Sequence, residues 1–166
     1  NGIDVLDAAR HKAETGLLGG YSEAEDVTNA ELLLLPCDVL APCALEQEIT
    51  ADNADGVQAS IVCEGANGPV TIEADDILAD RGVLVLPDVL ANAGGVVVSY
   101  FEWVQGLQEY FWKEEEVNER LNEIVTRAFD QTWTLHETRS VTMRQAAYLL
   151  AVGRVAEATI TRGLYP

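Results

Sequence analysis

The chain has 166 residues, of which 48% are apolar, so it can form a core of one domain and is not a disordered tail. Ten basic residues against 28 acidic ones give a net charge of −18, which excludes DNA and anionic membranes as partners. The apolar runs are too short to cross a bilayer, and no signal segment opens the chain. We therefore expect a cytoplasmic protein.

The acidic excess admits three explanations: a basic partner, a generally acidic composition, or function in molar salt. The acidic residues are spread along the chain, and its only lysines are Lys12 and Lys113. This spread argues against a single docking patch. Because molar salt shortens the Debye length to roughly 3 Å and screens self-repulsion, a halophilic protein is the explanation that we favour.

The first part of the chain predicts two helices. The pattern of residues 3–15 is helical, and Gly16 follows it. Thr28 and Glu31 then form a capping-box pattern ahead of a short apolar run, residues 32–35.

Three short apolar segments, at residues 38–42, 59–63 and 83–86, predict buried parallel strands, since polar alternation is missing from all of them. Helices are predicted between them. Thr50 should cap one at residues 52–55 and Thr71 another at 73–81, because threonine is a favoured N-cap residue. This alternation of strand and helix is typical of βαβ units.

The rest of the sequence predicts helices at residues 96–107 and 114–137, and a last helix that ends near 162. Thr142 and Gln145 form a capping box at the start of this last helix. The predicted fold class is α/β: a partial Rossmann-like, doubly wound parallel sheet followed by C-terminal helices. No GxGxxG turn occurs in the sequence. We therefore expect the beginning of the sheet to be absent and the strand at 38–42 to have an open edge.

The cysteines and histidines predict neither a disulfide framework nor a metal site. Cys37, Cys43 and Cys63 are odd in number and form no CxxC pair, which favours small thiols buried in strands. His11 and His136 are far apart and show no metal-ligand spacing, so no metal is expected.

Ligands of open α/β sheets bind at the carboxyl ends of the strands, where this chain has residues 41–44, 64–69 and 91–95. The amides of Asn67 and Asn92 offer a donor and an acceptor that match a nicotinamide carboxamide. The helix that follows Asn92 presents N–H groups suited to an anion. Simpler interpretations exist: Asn67 in an Asn-Gly turn, Asn92 as a helix cap, and Ser99 bonded to a carbonyl one turn back.

Four strings together resemble the C-terminal domain of the hexameric glutamate dehydrogenases, within the glutamate/leucine/phenylalanine/valine dehydrogenase family. In order, they are DVLAPCA at 38–44, EGANGP at 64–69, NAGGVVVSYFEW at 92–103 and MRQAAY at 143–148. The resemblance covers nearly the whole chain. It implies that residues 1–166 are the C-terminal part of an NAD(P)-binding domain, with βα units to about 95 and a helical end from about 96.

The resemblance also implies a function: oxidative deamination of L-glutamate to 2-oxoglutarate and ammonium, with NAD or NADP as hydride acceptor, in a homohexamer. By this resemblance, Asn67 and Asn92 contact the nicotinamide end of the cofactor, and the backbone at Cys43 and Ala44 lines the same cleft. By the same resemblance, Val96 and Ser99 would face the glutamate side chain. The Ser99 hydroxyl would donate a hydrogen bond to the far carboxylate of glutamate.

The catalytic lysine and aspartate of that family lie in a substrate domain with no counterpart in this sequence. We therefore expect these residues alone to be inactive, with no catalytic group in this chain. Two rival functions are a non-catalytic module that retains the cofactor cleft and a generic acidic scaffold. The first of these is the closer alternative, because the apolar strands and their glycine-rich ends argue against a scaffold.

Overall fold

A computed structural model describes residues 2–163 of the chain. The chain divides into two compact units, Asn1–Leu35 and Pro36–Pro166. Each unit buries its own apolar side chains; in the first they are Ala8, Tyr21 and Leu33. None of the helices that the structure describes is both long and apolar enough to span a membrane.

Helix α1 (Val5–Thr15) confirms the first predicted helix, with a later start. The start is set by Asp4, whose carboxylate accepts from two backbone N–H groups of the first turn and thereby acts as the N-cap. The helix ends at Gly16, whose φ of 84° is favourable for a residue without a Cβ.

Helix α2 (Asn29–Leu32) confirms the predicted capping box. The Thr28 hydroxyl accepts from the backbone N–H of Glu31, and the Glu31 carboxylate accepts from the backbone N–H of Thr28 at 2.8 Å. The Thr28 hydroxyl also donates to Glu31 Oε2 at 2.7 Å, and the backbone and hydroxyl bonds from Thr28, in that order of effect, lower the pKa of Glu31. The reciprocal bonds satisfy two N–H groups that a helix start leaves open, and so allow a helix of a single turn.

The second unit is built on a parallel sheet in the order β1-β2-β3, with β1 (Val39–Leu40), β2 (Ile61–Cys63) and β3 (Leu84–Leu86). All three strands lie inside the predicted segments but are shorter. Both strand pairs are parallel, as predicted. Helices fill the connections and the C-terminal part, so the predicted α/β class is confirmed. Among the described residues, β1 pairs only with β2 and is an edge strand.

The two faces of this sheet are covered unequally. Val62 pairs with Val85, and both side chains are buried. The neighbours of Val62 in β2, Ile61 and Cys63, point to the opposite face and are only half-buried. Helix α3 (Ile72–Asp80) and the last helix pack against β3.

The connection between β1 and β2 differs from the prediction. It contains a 3₁₀ turn at Ala54–Gly56 instead of a helix at 52–55. The side chain of Asn53 accepts from the backbone N–H of Thr50 at 2.8 Å, which closes a turn before the helix can begin. In the next connection Thr71 caps α3 as predicted, through the backbone N–H of Ala74 at 3.3 Å.

Four helices follow the sheet: α4 (Asp88–Ala91), α5 (Gly94–Gln108), α6 (Glu114–Arg139) and α7 (Met143–Arg162). Helix α4 is one turn that the sequence analysis did not predict, and α5 begins two residues before the predicted start. The capping box of Thr142 and Gln145 is confirmed. Helix α7 packs against both α6 and β3, with the buried side chains of its first turns: Met143, Ala146 and Ala147.

Candidate functional site

The carboxyl ends of the three strands form one connected edge. The carbonyl of Pro42, after β1, accepts from the backbone N–H groups of Gly65 at 3.1 Å and Ala66 at 2.9 Å, both after β2. The backbone N–H of Glu64 donates to the carbonyl of Leu86, the last residue of β3, at 3.1 Å. The parallel sheet thus brings the three strand ends together, and with them the segments at 41–44 and 64–69 that were singled out in the sequence.

Asn67 and Asn92 form a side-chain pair on this edge. The Asn92 Nδ2 donates to Asn67 Oδ1 at 2.7 Å and also lies 3.3 Å from the carbonyl of Ala66. Asn67 is exposed and Asn92 half-buried. The bond uses one donor of Asn92 and one acceptor of Asn67, so the amide nitrogen of Asn67 and the amide oxygen of Asn92 remain to face a ligand. This donor and acceptor set fits a planar carboxamide.

The alternative interpretation of Asn92 as the cap of the following helix is wrong. Ala93 occupies the N-cap position of α5, and no side chain caps it. Asn92 instead follows the last residue of α4, and its backbone N–H donates to the carbonyl of Asp88 at 3.0 Å. The Asn92 side chain is therefore directed by α4 towards the loop after β2.

Cys43 and Ala44 are both exposed in the loop after β1, and their chain contacts the loop after β2. A Cβ placed on Gly65 would lie 2.5 Å from the Cys43 Sγ, so the thiol rests directly against the Gly65 backbone. Only glycine allows the two loops to approach this closely.

The prediction of buried thiols is wrong for two of the three cysteines. Cys37 and Cys43 are exposed, because β1 is only two residues long and leaves both in the loops that flank it. Cys63 lies in β2 and is half-buried. Burial raises the pKa of the Cys63 thiol, and the charges of Cys43 and Glu64 raise it further.

Val96 and Ser99 lie in the first turns of α5, three residues apart and therefore on one side of the helix. The Val96 side chain is 70% exposed, although it is apolar. The Ser99 hydroxyl donates to the carbonyl of Gly95 at 3.1 Å, which is the alternative raised from the sequence. It would have to turn away from Gly95 to donate to a ligand.

Sequence reasoning missed a partly buried charged cluster beside the asparagine pair. Glu64 is 0% exposed, and its Oε1 lies 2.6 Å from Arg144 Nη2. The same guanidinium lies 3.2 Å from Asp75 Oδ1 and 3.7 Å from Asp88 Oδ1. We call these four residues the Arg144 cluster. Burial lowers the pKa of Arg144, but the hydrogen bond to Glu64 and the charges of Asp75 and Glu64 outweigh it, so the pKa is raised.

One signal for this cluster was present in the sequence. Glu64 is a charged residue that follows an apolar strand without a break, and such a residue is buried only when it is paired. Its partner was not recognisable, because 80 residues separate Glu64 from Arg144. Local patterns carry no information on a pair so distant.

An open groove of about 1000 Å³ borders the cluster on α7. Asp88 and Arg144 line it together with apolar side chains that include Tyr148 and Val152, but Asn67 and Asn92 do not. The groove and the asparagine pair are therefore different surfaces. Within residues 2–163, no group of three or more His, Cys, Asp and Glu side chains is arranged to hold a metal ion.

Comparison with known proteins identifies the family. The family model described as Glutamate/Leucine/Phenylalanine/Valine dehydrogenase matches residues 1–163. The chain is 52% identical over 165 residues to the glutamate dehydrogenase of Thermotoga maritima, covering 99% of this chain and 40% of that protein. It is 50% identical to the NAD-specific glutamate dehydrogenase of Staphylococcus aureus, covering 98% of this chain and 39% of that protein. The chain thus spans about 40% of the length of these relatives.

Solved structures show the same relationship. The hetero-hexameric glutamate dehydrogenase of Thermus thermophilus, in its Leu-bound form, matches with a TM-score of 0.90 and 38% identity, over 99% of this chain and 39% of that one. The L-tryptophan dehydrogenase of Nostoc punctiforme matches with a TM-score of 0.68 and 27% identity, over 97% of this chain and 44% of that one. With the family match along almost its whole length, the chain belongs to the glutamate/leucine/phenylalanine/valine dehydrogenase family.

Proposed function

We propose that this chain is part of a glutamate dehydrogenase and forms the C-terminal part of its NAD(P)-binding domain. The enzyme would convert L-glutamate, NAD(P)⁺ and water to 2-oxoglutarate, ammonium, NAD(P)H and a proton. The observation that carries the proposal is the Asn67–Asn92 pair, which presents an amide donor and acceptor at the carboxyl edge of a parallel sheet. The names of the relatives support the choice of glutamate.

In this proposal the residues of the chain bind and orient, and none of them exchanges a proton with substrate. Asn67 and Asn92 hold the carboxamide of the nicotinamide, and the loop with Cys43 and Ala44 lines the same cleft. The Ser99 hydroxyl turns away from the Gly95 carbonyl and donates a hydrogen bond to the far carboxylate of glutamate. The cofactor, when bound, supplies the hydride acceptor.

Three finer features are part of the same proposal: a cytoplasmic location, a homohexameric assembly and adaptation to high salt. The Thermus thermophilus relative supports a hexamer, although that protein is described as hetero-hexameric. The dispersed net charge of −18 supports the adaptation to salt.

The test is an assay of the protein as its gene encodes it, with NAD and NADP each offered with glutamate, leucine, phenylalanine or valine. We expect glutamate-dependent formation of reduced cofactor. Asn92→Ala should raise the KM for the cofactor by roughly tenfold, since it leaves the Asn67 amide without its partner. Asn118→Ala, at an exposed position of α6, is the matched control and should leave the KM for the cofactor unchanged.

Two outcomes would contradict the proposal. Reduction of cofactor with leucine, phenylalanine or valine but not with glutamate would disprove the substrate. Binding of cofactor without turnover of any amino acid would instead support the non-catalytic module of the same ancestry.

A further inference from the structure

Asp88 is bonded to the immediate surroundings of both asparagines. Its Oδ2 accepts from the backbone N–H of Gly68 at 2.8 Å, and Gly68 directly follows Asn67. Its backbone carbonyl accepts from the backbone N–H of Asn92 at 3.0 Å. Gly68 has a φ of 56°, which is one of several backbone conformations open to glycine. The hydrogen bond to Asp88 favours this conformation over the others. One residue thus contacts both chain segments that carry the pair, one through its carboxylate and the other through its backbone carbonyl.

Asp88 is in turn held by Glu64 and Arg144. The backbone N–H of Asp88 donates to Glu64 Oε2 at 2.7 Å. The other oxygen of Glu64 lies 2.6 Å from Arg144 Nη2, and Arg144 Nη1 lies 3.7 Å from Asp88 Oδ1. A continuous series of polar contacts therefore leads from α7 through Glu64 and Asp88 to the asparagine pair.

Stability alone does not account for this arrangement. Burying a carboxylate and a guanidinium costs about as much free energy as their attraction returns, and apolar side chains of similar volume stabilise a core equally well or better. The contacts also end on backbone atoms next to Asn67 and Asn92, at the edge of the sheet. What the charges provide, and apolar groups would not, is a fixed direction for those atoms.

We propose that Arg144, acting through Glu64 and Asp88, is a positioning residue that holds the Asn67–Asn92 pair in the geometry that binds the cofactor. The inference rests on the proposed function. Arg144 contacts neither asparagine, so its effect is indirect. Its planar guanidinium contacts Glu64 and Asp88 with different nitrogens. The single ammonium of a lysine keeps the charge but does not match this two-sided geometry.

The test uses the protein as its gene encodes it, with the variants Arg144→Lys, Asp88→Ala and Asp88→Asn. The matched control is Arg127→Lys, which alters an exposed Arg–Glu pair on α6. Amide hydrogen exchange is measured without cofactor for residues 64–72 and 87–95. Steady-state kinetics then give KM for the cofactor and kcat separately, and thermal unfolding gives Tm.

We expect Arg144→Lys and Asp88→Ala to speed exchange at Gly68, whose N–H bonds the Asp88 carboxylate, and to raise the cofactor KM by roughly tenfold, with a smaller change in kcat. Asp88→Asn keeps an oxygen for the Gly68 N–H and should recover most of the loss. Arg127→Lys should match the unchanged protein. A lowered Tm with unchanged exchange in both segments and an unchanged KM would show a merely structural role and overturn the inference.

The exchange measurement separates this inference from the proposed function. If the unchanged protein turns over no amino acid, the function fails, while faster exchange in Arg144→Lys still supports positioning of the asparagine loops. If turnover is present but Arg144→Lys leaves exchange and KM unchanged, the function stands and the positioning role is disproved.

Discussion

Gly65 and Cys43 belong to different strand ends, yet a Cβ on Gly65 would lie 2.5 Å from the Cys43 Sγ and 3.3 Å from its Cβ. The backbone of one loop thus packs directly on the thiol of the other. Two hydrogen bonds from the loop after β2 to the carbonyl of Pro42 keep the loops at this distance. The two loops near Asn67 can therefore lie this close because the residue at position 65 is a glycine, which has no Cβ.

Gly65→Ala should destabilise the protein by about 1–3 kcal/mol, because the added methyl group forces the two loops apart. Urea unfolding measures the change. Adding Cys43→Ala in the same chain removes the Sγ that lies closest and should recover most of the loss, while Cys43→Ala alone should have little effect. A stable Gly65→Ala single variant would mean that the thiol simply rotates away.

Thr142→Ala should lower the free energy of unfolding by about 1 kcal/mol, since it removes the side-chain oxygen that accepts from the backbone N–H of Gln145 at 3.2 Å. Thr142→Ser keeps the hydroxyl and should retain most of the stability. Thr126→Ala, on an exposed position within α6, is the control for loss of a threonine away from a cap. Equal losses at positions 126 and 142 would contradict the role of the cap.

Cys63 should react with iodoacetamide more slowly than Cys37 at pH 8, because burial raises its pKa and keeps it protonated. Mass spectrometry of partly labelled protein measures both rates. The rates should converge in urea, where the difference in environment is lost; equal rates in the folded protein would disprove the shift. Because the folded pKa is raised above the reference value of 9.0, the associated stability is complete below pH 9 and is lost as pH rises through the folded value.

The net charge of −18 predicts a fold that depends on salt. Far-UV circular dichroism should show loss of helix in dilute buffer and recovery in molar KCl or NaCl, as self-repulsion is screened. Sucrose, which favours compact states without screening charge, is the control and should restore less. Equal helix content in dilute buffer and molar salt would contradict the halophilic interpretation.

The sequence predicted those elements that depend on local chemistry. Three capping residues, Thr28, Thr71 and Thr142, were each recognised from the few residues that follow them, and each caps its helix. The cap of α1, Asp4, was not predicted. The meeting of the three strand ends followed from the parallel order alone, because parallel strands place their carboxyl ends at one edge.

The features that escaped prediction depend on partners distant in sequence or on competing turns. Helix α4 is a single turn that begins after Pro87, and its Asp88 is held by Glu64, 24 residues earlier. The side chain of Asn53 shifted the short helix before β2 by turning back to Thr50. The exposure of Cys43 followed from a strand shorter than its apolar sequence suggests.

The bond between Glu64 and Arg144 has a consequence for the synthesis of the protein. At about 5–20 residues per second, the 80 residues between them take roughly 4–16 s to be translated. During that interval the strands already exist as polypeptide, but neither Glu64 nor Asp88 has the guanidinium of Arg144 to contact. If Arg144 positions the asparagine pair as we propose, the pair is completed late, and a nascent chain that stalls before α7 emerges has its sheet segments without a finished ligand edge.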